Sequence, residues 1–185
     1  MANVLIQAEN LRVLYGRQAA LDGVSFAIPE GAIGLLGPNG SGKSTLLKTL
    51  LGFLDPASGG CTVSGMDPRH DAVKIREHVG YMSESDSIIP GMSGVEFVAY
   101  MGQISGMPRE EALMRAHATL RYVGLGEARY RNMETYSQGM RQRAKLAQAL
   151  VHDPDLLFLD EPTNGLDPKG RQEMLDLVKD ITQRL

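Results

Sequence analysis

The 185-residue sequence contains no tryptophan and a single cysteine, Cys61. One thiol can form neither an internal disulfide nor a multi-cysteine zinc site. Long apolar runs are also missing, since stretches such as 32–36 and 156–159 are far shorter than the roughly 18 residues of a membrane-spanning helix. Charge of one sign is not in excess: 19 basic and 22 acidic side chains give a net charge of −3. This balance excludes a strongly basic nucleic-acid binder and an acidic disordered tail. From the chain length, the single cysteine and the short apolar runs, we expect a single-domain cytosolic chain.

Glycine is abundant, with 21 positions in 185 against a usual share of about 7%. Because the glycines follow no repeat, they indicate loops with special backbone conformations. Apolar runs predict strands at 4–8, 11–15, 24–28, 32–36, 61–63, 78–82 and 155–159. Helical spacing predicts helices at 44–51, 97–104, 109–123, 140–151 and 172–185, with a capping box of Ser93 and Glu96 before the second. This order favours an α/β fold with lobes.

A phosphate-binding loop is predicted at residues 37–44, where GPNGSGKS fits G-x-x-x-x-G-K-[ST] at every position. An apolar run precedes it and a helical pattern follows, as this motif requires. Its glycines let backbone N–H groups point at phosphate oxygens, and the N-terminus of the following helix favours an anion. Lys43 can bridge the β- and γ-phosphates, and the Ser44 hydroxyl can ligate Mg²⁺. The predicted nucleotide-binding residues here are Gly37, Pro38, Asn39, Gly40, Ser41, Gly42, Lys43, Ser44 and Thr45.

A second acidic element follows the apolar run at 156–159, which ends in Asp160 and Glu161. In a protein with a phosphate loop, the first carboxylate suits the Mg²⁺ shell. The second can orient or deprotonate an attacking water. The pair favours hydrolysis over phosphoryl transfer to a small acceptor, which would not need the second carboxylate.

Two further motifs lie on either side of this element: YSQGMRQR at 136–143 and NGLDP at 164–168. With the phosphate loop they make the chain resemble the nucleotide-binding domain of ABC transporters over nearly its whole length, and most closely the ATP-binding subunits of ABC-2-type exporters. The resemblance implies an α/β P-loop NTPase fold with a mixed central sheet, an N-terminal antiparallel β lobe and an α-helical signature subdomain. It also implies one ATP-binding domain over residues 1–185, with a core at 1–90 and 148–185 and the helical subdomain at 91–147.

The resemblance also implies residue roles. Tyr15 aligns with the aromatic residue that stacks on adenine, with an ordinary strand tyrosine as the alternative. Asp167 lies in the loop that signals between the two sites. Glu84 stands where the family usually has glutamine, and its carboxylate is a candidate for Mg²⁺ or the water. The signature motif, here YSQGM where the family usually has LSGGQ, would cap the γ-phosphate bound by the opposing subunit through Ser137, Gln138 and Gly139.

The function implied is an Mg²⁺- and ATP-dependent subunit that energises export through a separate membrane permease. We expect a head-to-tail homodimer, no nucleic-acid partner, and a cytoplasmic location at the inner face of the cell membrane. Two alternatives stay open: a soluble ABC-type ATPase unconnected with transport, and a nucleotide-binding module with little turnover. In the family, a strand beyond the 160–168 region carries a histidine that contacts the γ-phosphate. The sequence ends at Leu185 before that strand, so we expect a truncated domain; histidines 70, 78, 117 and 152 all lie upstream.

Two further features of the sequence give weaker evidence about function. Arg141, Arg143 and Lys145 form a basic run just after the signature motif. Such a run is typical of a solvated helix face, and here it could also adjust the field near the partner's phosphates. The segment 85–101 resembles the surface that meets the coupling helix of the membrane subunit. The alternative, equally expected for each apolar side chain, is burial in the core of this chain.

Overall fold

The computed structural model describes residues 4–85 and 88–184. The chain divides into two compact units, the first ending at Arg76 and the second beginning at Glu77. In chain order the strands and helices are β1 (Val4–Tyr15), β2 (Gln18–Pro29), α1 (Lys43–Leu50), β3 (Ser58–Val63), α2 (Pro68–His78), β4 (Val79–Met82), α3 (Gly94–Ile104), α4 (Arg109–Tyr122), α5 (Gln138–Leu150), β5 (Leu156–Leu159) and α6 (Pro168–Arg184). Two short 3₁₀ turns, Gly126–Tyr130 and Met133–Thr135, lie between α4 and α5.

The first unit contains the antiparallel sheet that the sequence predicts, with strand order β2-β1-β3. The prediction of two short strands broken near Asn10 was wrong, because β1 runs through this point. Asn10 adopts a left-handed φ of 46° and its N–H donates to Ser25 Oγ at 2.8 Å, while the register with β2 shifts between Ala8 and Leu11. A bulge of this kind absorbs an irregular residue without ending the strand. A two-residue turn at 16–17 then joins β1 to β2.

The expected buried strand at 32–36 is not formed. These residues have irregular backbone structure, and their apolar side chains are exposed: Ile33 by 59%, Leu35 by 49% and Leu36 by 94%. Apolar composition favours a strand only where a neighbouring strand completes the backbone hydrogen bonds. In the part of the chain that the structure describes, the two sheets are β2-β1-β3 and β4-β5, and neither includes this segment.

The second unit combines a parallel strand pair with a helical core. Strands β4 and β5 pair in parallel, with Val79 opposite Leu156 and Met82 opposite Leu159. The helices that follow bury a continuous apolar cluster, whose large members with almost no exposure include Phe97, Val98, Leu120, Met133, Leu146 and Met174. On α6 Met174 and Ile181 are buried, and Leu185, the last residue of the predicted helix, lies outside the described residues. Residues 91–147 are mainly helical, as expected, and their separation as a subdomain stays a prediction.

Helix ends follow the local signals closely. The capping box before α3 is confirmed, since Ser93 Oγ accepts from the Glu96 N–H and a Glu96 carboxylate oxygen accepts from the Ser93 N–H at 2.8 Å. Helix α4 ends before Gly124, whose φ is 83°. Helix α2 was not predicted, because only two of its eleven residues, Pro68 and Ile75, are buried, which leaves no long apolar stripe in the sequence. Among the described residues, no helix has the length and apolar character that crossing a membrane requires.

Candidate nucleotide-binding and hydrolysis site

The phosphate loop ends at the N-terminus of α1. Gly40 and Gly42 adopt left-handed φ angles of 81° and 91°, which L-residues with side chains rarely take. Gly42 is the N-cap residue of α1, so no side chain caps the helix, and its first turn contains no acidic residue. A helix start of this kind presents N–H groups and a positive dipole end to an anion. The backbone therefore fits a phosphate group, in agreement with the motif.

Lys43 extends back over the loop that precedes it. Its Nζ donates to the carbonyl oxygens of Gly37 at 2.9 Å and Pro38 at 3.2 Å. Ser41 N–H also donates to Pro38 O at 3.2 Å, which tightens the same turn. A Cβ at Gly37 would lie 2.6 Å from Ser41 Oγ, so another residue there would have to displace the Ser41 hydroxyl. Ser44 and Thr45 follow in the first turn of α1, where Ser44 is half-buried and Thr45 is buried.

Tyr15 is the last residue of β1, directly before the hairpin turn. Its side chain is 51% exposed, so one part of the ring is accessible to a stacking partner. This exposure agrees with the predicted adenine contact, which stays a prediction.

Two of the predicted carboxylates lie at the same edge of the second sheet. Asp160 follows β5 and is 4% exposed, and its N–H donates to Met82 O at 2.9 Å, which continues the strand pairing by one step. Glu84 lies two residues beyond β4 and is exposed. Burial is the main cause that raises the pKa of Tyr81, and the negative charges of Asp160 and Glu84 raise this pKa further. Because Met82 pairs with Leu159, Glu84 and Asp160 both follow the carboxyl ends of the parallel strands.

Glu161 adopts a left-handed backbone conformation, with a φ of 50°. A non-glycine residue in this region carries about 1–3 kcal/mol of strain, and such residues are concentrated at functional sites. The turn that follows is closed by the Asn164 N–H, which donates to Glu161 O at 3.0 Å. The strained geometry turns the chain sharply directly after β5, at the residue predicted to handle the attacking water.

Magnesium ligation was predicted for Ser44, Glu84 and Asp160. Within residues 4–85 and 88–184, no group of three or more histidine, cysteine, aspartate or glutamate side chains could hold a metal ion. Mg²⁺ commonly takes one or two carboxylates and completes its shell with water and substrate phosphates, and the three predicted ligands stay a prediction.

The signature residues begin helix α5 and contact the 164–168 loop of the same chain. Ser137 is the N-cap residue, and its Oγ accepts from the Met140 N–H at 3.4 Å. A Cβ at Gly165, whose φ is 73°, would lie 3.1 Å from Gln138 Cγ. A Cβ at Gly139 would lie 3.8 Å from a Leu166 methyl group. The sequence predicts each motif separately, and their contact was not anticipated.

Asp167 has a local role that the sequence did not predict. Its Oδ1 accepts from the Gly170 N–H at 3.0 Å and its backbone carbonyl accepts from the Arg171 N–H at 2.9 Å, so it begins α6 as a helix cap does. The side chain is exposed, and its part in signalling between sites stays a prediction.

The interpretation of the basic run as a solvated helix face was wrong. Lys145 is 3% exposed, and its Nζ donates to the carbonyl oxygen of Glu84 at 2.9 Å. Arg143 is mostly buried and donates to Val123 O at 2.6 Å and to a Glu173 carboxylate oxygen at 2.7 Å. Basic residues at alternate positions of a helix can point into the protein when they can donate to buried backbone carbonyls, which a charge pattern alone does not reveal.

Comparison with known proteins identifies the family of the chain. Residues 21–164 match the ABC transporter family. The chain is 37% identical over 180 residues to the linearmycin resistance ATP-binding protein LnrL of Bacillus subtilis, covering 97% of this chain and 58% of LnrL. It is 39% identical over 175 residues to the daunorubicin/doxorubicin resistance ATP-binding protein DrrA of Streptomyces peucetius, covering 94% of this chain and 53% of DrrA. The chain thus spans little more than half the length of these relatives.

A solved structure extends the comparison to the fold. The ATP-binding cassette MJ0796, in a dimeric post-hydrolysis state bound to ADP and Pi, matches with a TM-score of 0.86 and 26% identity. The match covers 97% of this chain and 83% of MJ0796. This chain belongs to the ABC transporter family and has the fold of its ATP-binding cassettes.

Proposed function

We propose that this chain is the ATP-binding and hydrolysing part of an ABC transporter, which energises export through a separate membrane permease. The observation that carries the proposal is the phosphate loop: left-handed Gly40 and Gly42 lead into a helix start with no acidic side chain, and Lys43 reaches back over the loop. Family membership supports the same reading. The related resistance proteins LnrL and DrrA are named ATP-binding proteins, which supports ATP as the nucleotide.

Residue roles follow from chemistry and local geometry. N–H groups of the phosphate loop and the Lys43 ammonium bind the phosphates, while Tyr15 stacks on the base. Ser44, Asp160 and Glu84 would be the ligands of Mg²⁺, which would supply positive charge to neutralise the phosphates. Glu161 orients the attacking water and accepts its proton. The proposed metal ligands all bind through oxygen, which Mg²⁺ prefers, and this supports their assignment. The strained backbone at Glu161 supports its role.

Partners follow from the signature residues at the start of α5. Ser137, Gln138 and Gly139 stand at a helix N-terminus, which suits contact with the phosphate of a nucleotide bound by a second copy. The dimeric state of MJ0796 supports a dimer of this kind. We propose a homodimer that joins a permease at the inner face of the membrane and remains cytoplasmic, with no nucleic-acid partner.

The proposal is tested by calorimetric titration of the purified protein with Mg²⁺-ATP, before and after Lys43→Ala. Each charge-assisted hydrogen bond between the ammonium and a phosphate contributes about 1.5–3 kcal/mol, so ATP affinity should fall at least about 10-fold. Lys48→Ala is the matched control, since Lys48 is an exposed lysine in the last turn of the same helix. The control should bind ATP like the wild type.

Turnover separates the proposal from its alternatives. Phosphate release from ATP by the wild-type protein supports a hydrolytic subunit, whereas binding without release favours the nucleotide-binding module. Co-purification with a membrane permease supports transport over a soluble ABC-type ATPase. Equal ATP affinity of wild type and Lys43→Ala would contradict the predicted phosphate site.

A further inference from the structure

Helix α5 contains two polar side chains on its buried side. Gln142 is 1% exposed and Lys145 is 3% exposed, while their neighbours Ala144, Leu146 and Ala147 are fully buried and apolar. The two residues are three positions apart, so they lie on one face of the helix. We call them the α5 pair. Burying an ammonium and an amide costs free energy unless their hydrogen bonds are remade, so the α5 pair needs an explanation.

Each member of the α5 pair donates to the backbone of a different loop. Lys145 Nζ donates to the carbonyl oxygen of Glu84 at 2.9 Å, in the loop after β4. Gln142 Nε2 donates to the carbonyl oxygen of Asn164 at 3.1 Å, in the loop after β5. Asn164 in turn donates from Nδ2 to Glu84 Oε1, at the long distance of 3.5 Å, so the two loops also contact each other.

Both loops contain acids that the proposed function uses. Glu84 is a proposed Mg²⁺ ligand, and Lys145 holds its backbone directly. Asn164 closes the turn that begins at Glu161, since its N–H donates to Glu161 O at 3.0 Å. Gln142 holds the Asn164 carbonyl at one end of this turn. It therefore restrains the turn as a whole, and with it the direction of the Glu161 carboxylate at the other end.

The α5 pair is poorly explained by stability alone. Gln142 Oε1 is buried and accepts no hydrogen bond from the residues the structure describes, and an unsatisfied buried acceptor is destabilising. Replacing a whole buried ion pair by apolar side chains of similar volume is often neutral or stabilising, so a buried charge is weak evidence of a stabilising role. A buried lysine and a partly satisfied glutamine are therefore expected where they serve the site.

We propose that Lys145 and Gln142 are positioning residues, which fix the Glu84 and Glu161 loops for ATP hydrolysis. This inference rests on the proposed function. The helix that holds the loops is the same helix that begins at signature residue Ser137. One rigid element thus joins the proposed contact with the second copy to the two loops that contain the hydrolytic acids.

The test is Lys145→Met, which removes the ammonium and keeps an unbranched side chain. Steady-state ATP hydrolysis should show kcat lowered about 10- to 100-fold, the size expected for one lost hydrogen bond from a charged group, with KM changed less than about twofold. The thermal unfolding midpoint of each variant is measured in parallel, so that lost positioning is separated from lost stability. Lys179→Met is the matched control, because Lys179 is an exposed lysine on α6, and it should leave kcat unchanged.

A double-mutant cycle separates positioning from general packing. If Lys145 acts through Glu84, Lys145→Met should slow turnover much less in a Glu84→Ala background than in the wild type. Equal effects in both backgrounds, or a normal kcat for Lys145→Met, would overturn the proposal.

Amide hydrogen exchange gives a readout that needs no turnover. Lys145→Met should increase exchange in peptides that cover residues 83–85, and Lys179→Met should not. Unchanged exchange there would overturn the positioning role. Absence of ATP hydrolysis by the wild-type protein would instead overturn the proposed function, and the exchange result alone would then decide whether Lys145 holds this loop.

Discussion

Gly42 is the position in the phosphate loop where the structure predicts the largest effect of a single added methyl group. Its φ is 91°, and a Cβ there would lie 2.6 Å from the carbonyl oxygen of Ala20 and 2.8 Å from a Leu21 methyl carbon. Both distances are shorter than real Cβ contacts. The first contact is with backbone of β2, which cannot rotate away as a flexible side chain can.

The size of the effect follows from two terms. A left-handed alanine costs about 1–2 kcal/mol, and forcing a methyl group into an occupied space costs typically about 1–3 kcal/mol. Gly42→Ala should therefore lower the free energy of unfolding by about 2–5 kcal/mol. Gly23→Ala is the matched control: φ at Gly23 is 66°, but no atom lies within 4 Å of its added Cβ, so only the first term applies.

Urea denaturation followed by circular dichroism measures both variants, since the chain contains no tryptophan for fluorescence. Gly42→Ala should unfold at a clearly lower urea concentration than Gly23→Ala, and it should also bind ATP more weakly. Equal destabilisation by the two substitutions would refute the reasoning, because it would mean that the close contact with β2 carries no cost.

Two further predictions concern the hydrolytic acid and the pH dependence of stability. Glu161→Gln should keep ATP affinity but slow turnover about 10²–10⁴-fold, the usual effect of losing a general base; near-normal single-turnover hydrolysis would remove Glu161 from that role. His152 is partly buried, with Nε2 3.3 Å from Val79 O, and burial lowers its pKa below 6.5. The folded state therefore binds fewer protons than the unfolded state, so stability should fall as pH falls through 6.5. His152→Gln should flatten this dependence in denaturation curves between about pH 8 and about pH 5.5, and a slope identical to wild type would contradict it.

Local signals in the sequence predicted the parts of the structure that depend on neighbouring residues. The phosphate loop, the Ser93 capping box and the end of α4 before Gly124 all follow from residues close together in the chain. Each is a backbone requirement met by a particular residue type, such as glycine at a left-handed φ or serine at a helix start. Such requirements can be recognised without knowing what lies elsewhere in the fold.

Features that depend on distant residues could not be predicted in the same way. The apolar run at 32–36 suggests a strand, but a strand also needs a pairing partner, and its side chains are exposed here. Lys145 has the charge of a surface residue, but its burial is decided by the Glu84 carbonyl, 61 residues earlier in the chain. The contact of Gln138 with Gly165 likewise joins two motifs that the sequence shows only as separate.

The close approach of α5 to β4 shows how packing, rather than a motif, assembles the second part of the candidate site. A Cβ at Gly80 would collide with the Ala149 carbonyl oxygen of α5 and with a Leu157 methyl carbon of β5. Glycine at this position therefore allows the helix to lie directly on the strand pair. Only at this short separation can Lys145, one turn earlier on α5, reach the carbonyl of Glu84 just beyond the end of β4. A glycine outside every recognised motif thus sets the distance on which the proposed positioning of the hydrolytic loops depends.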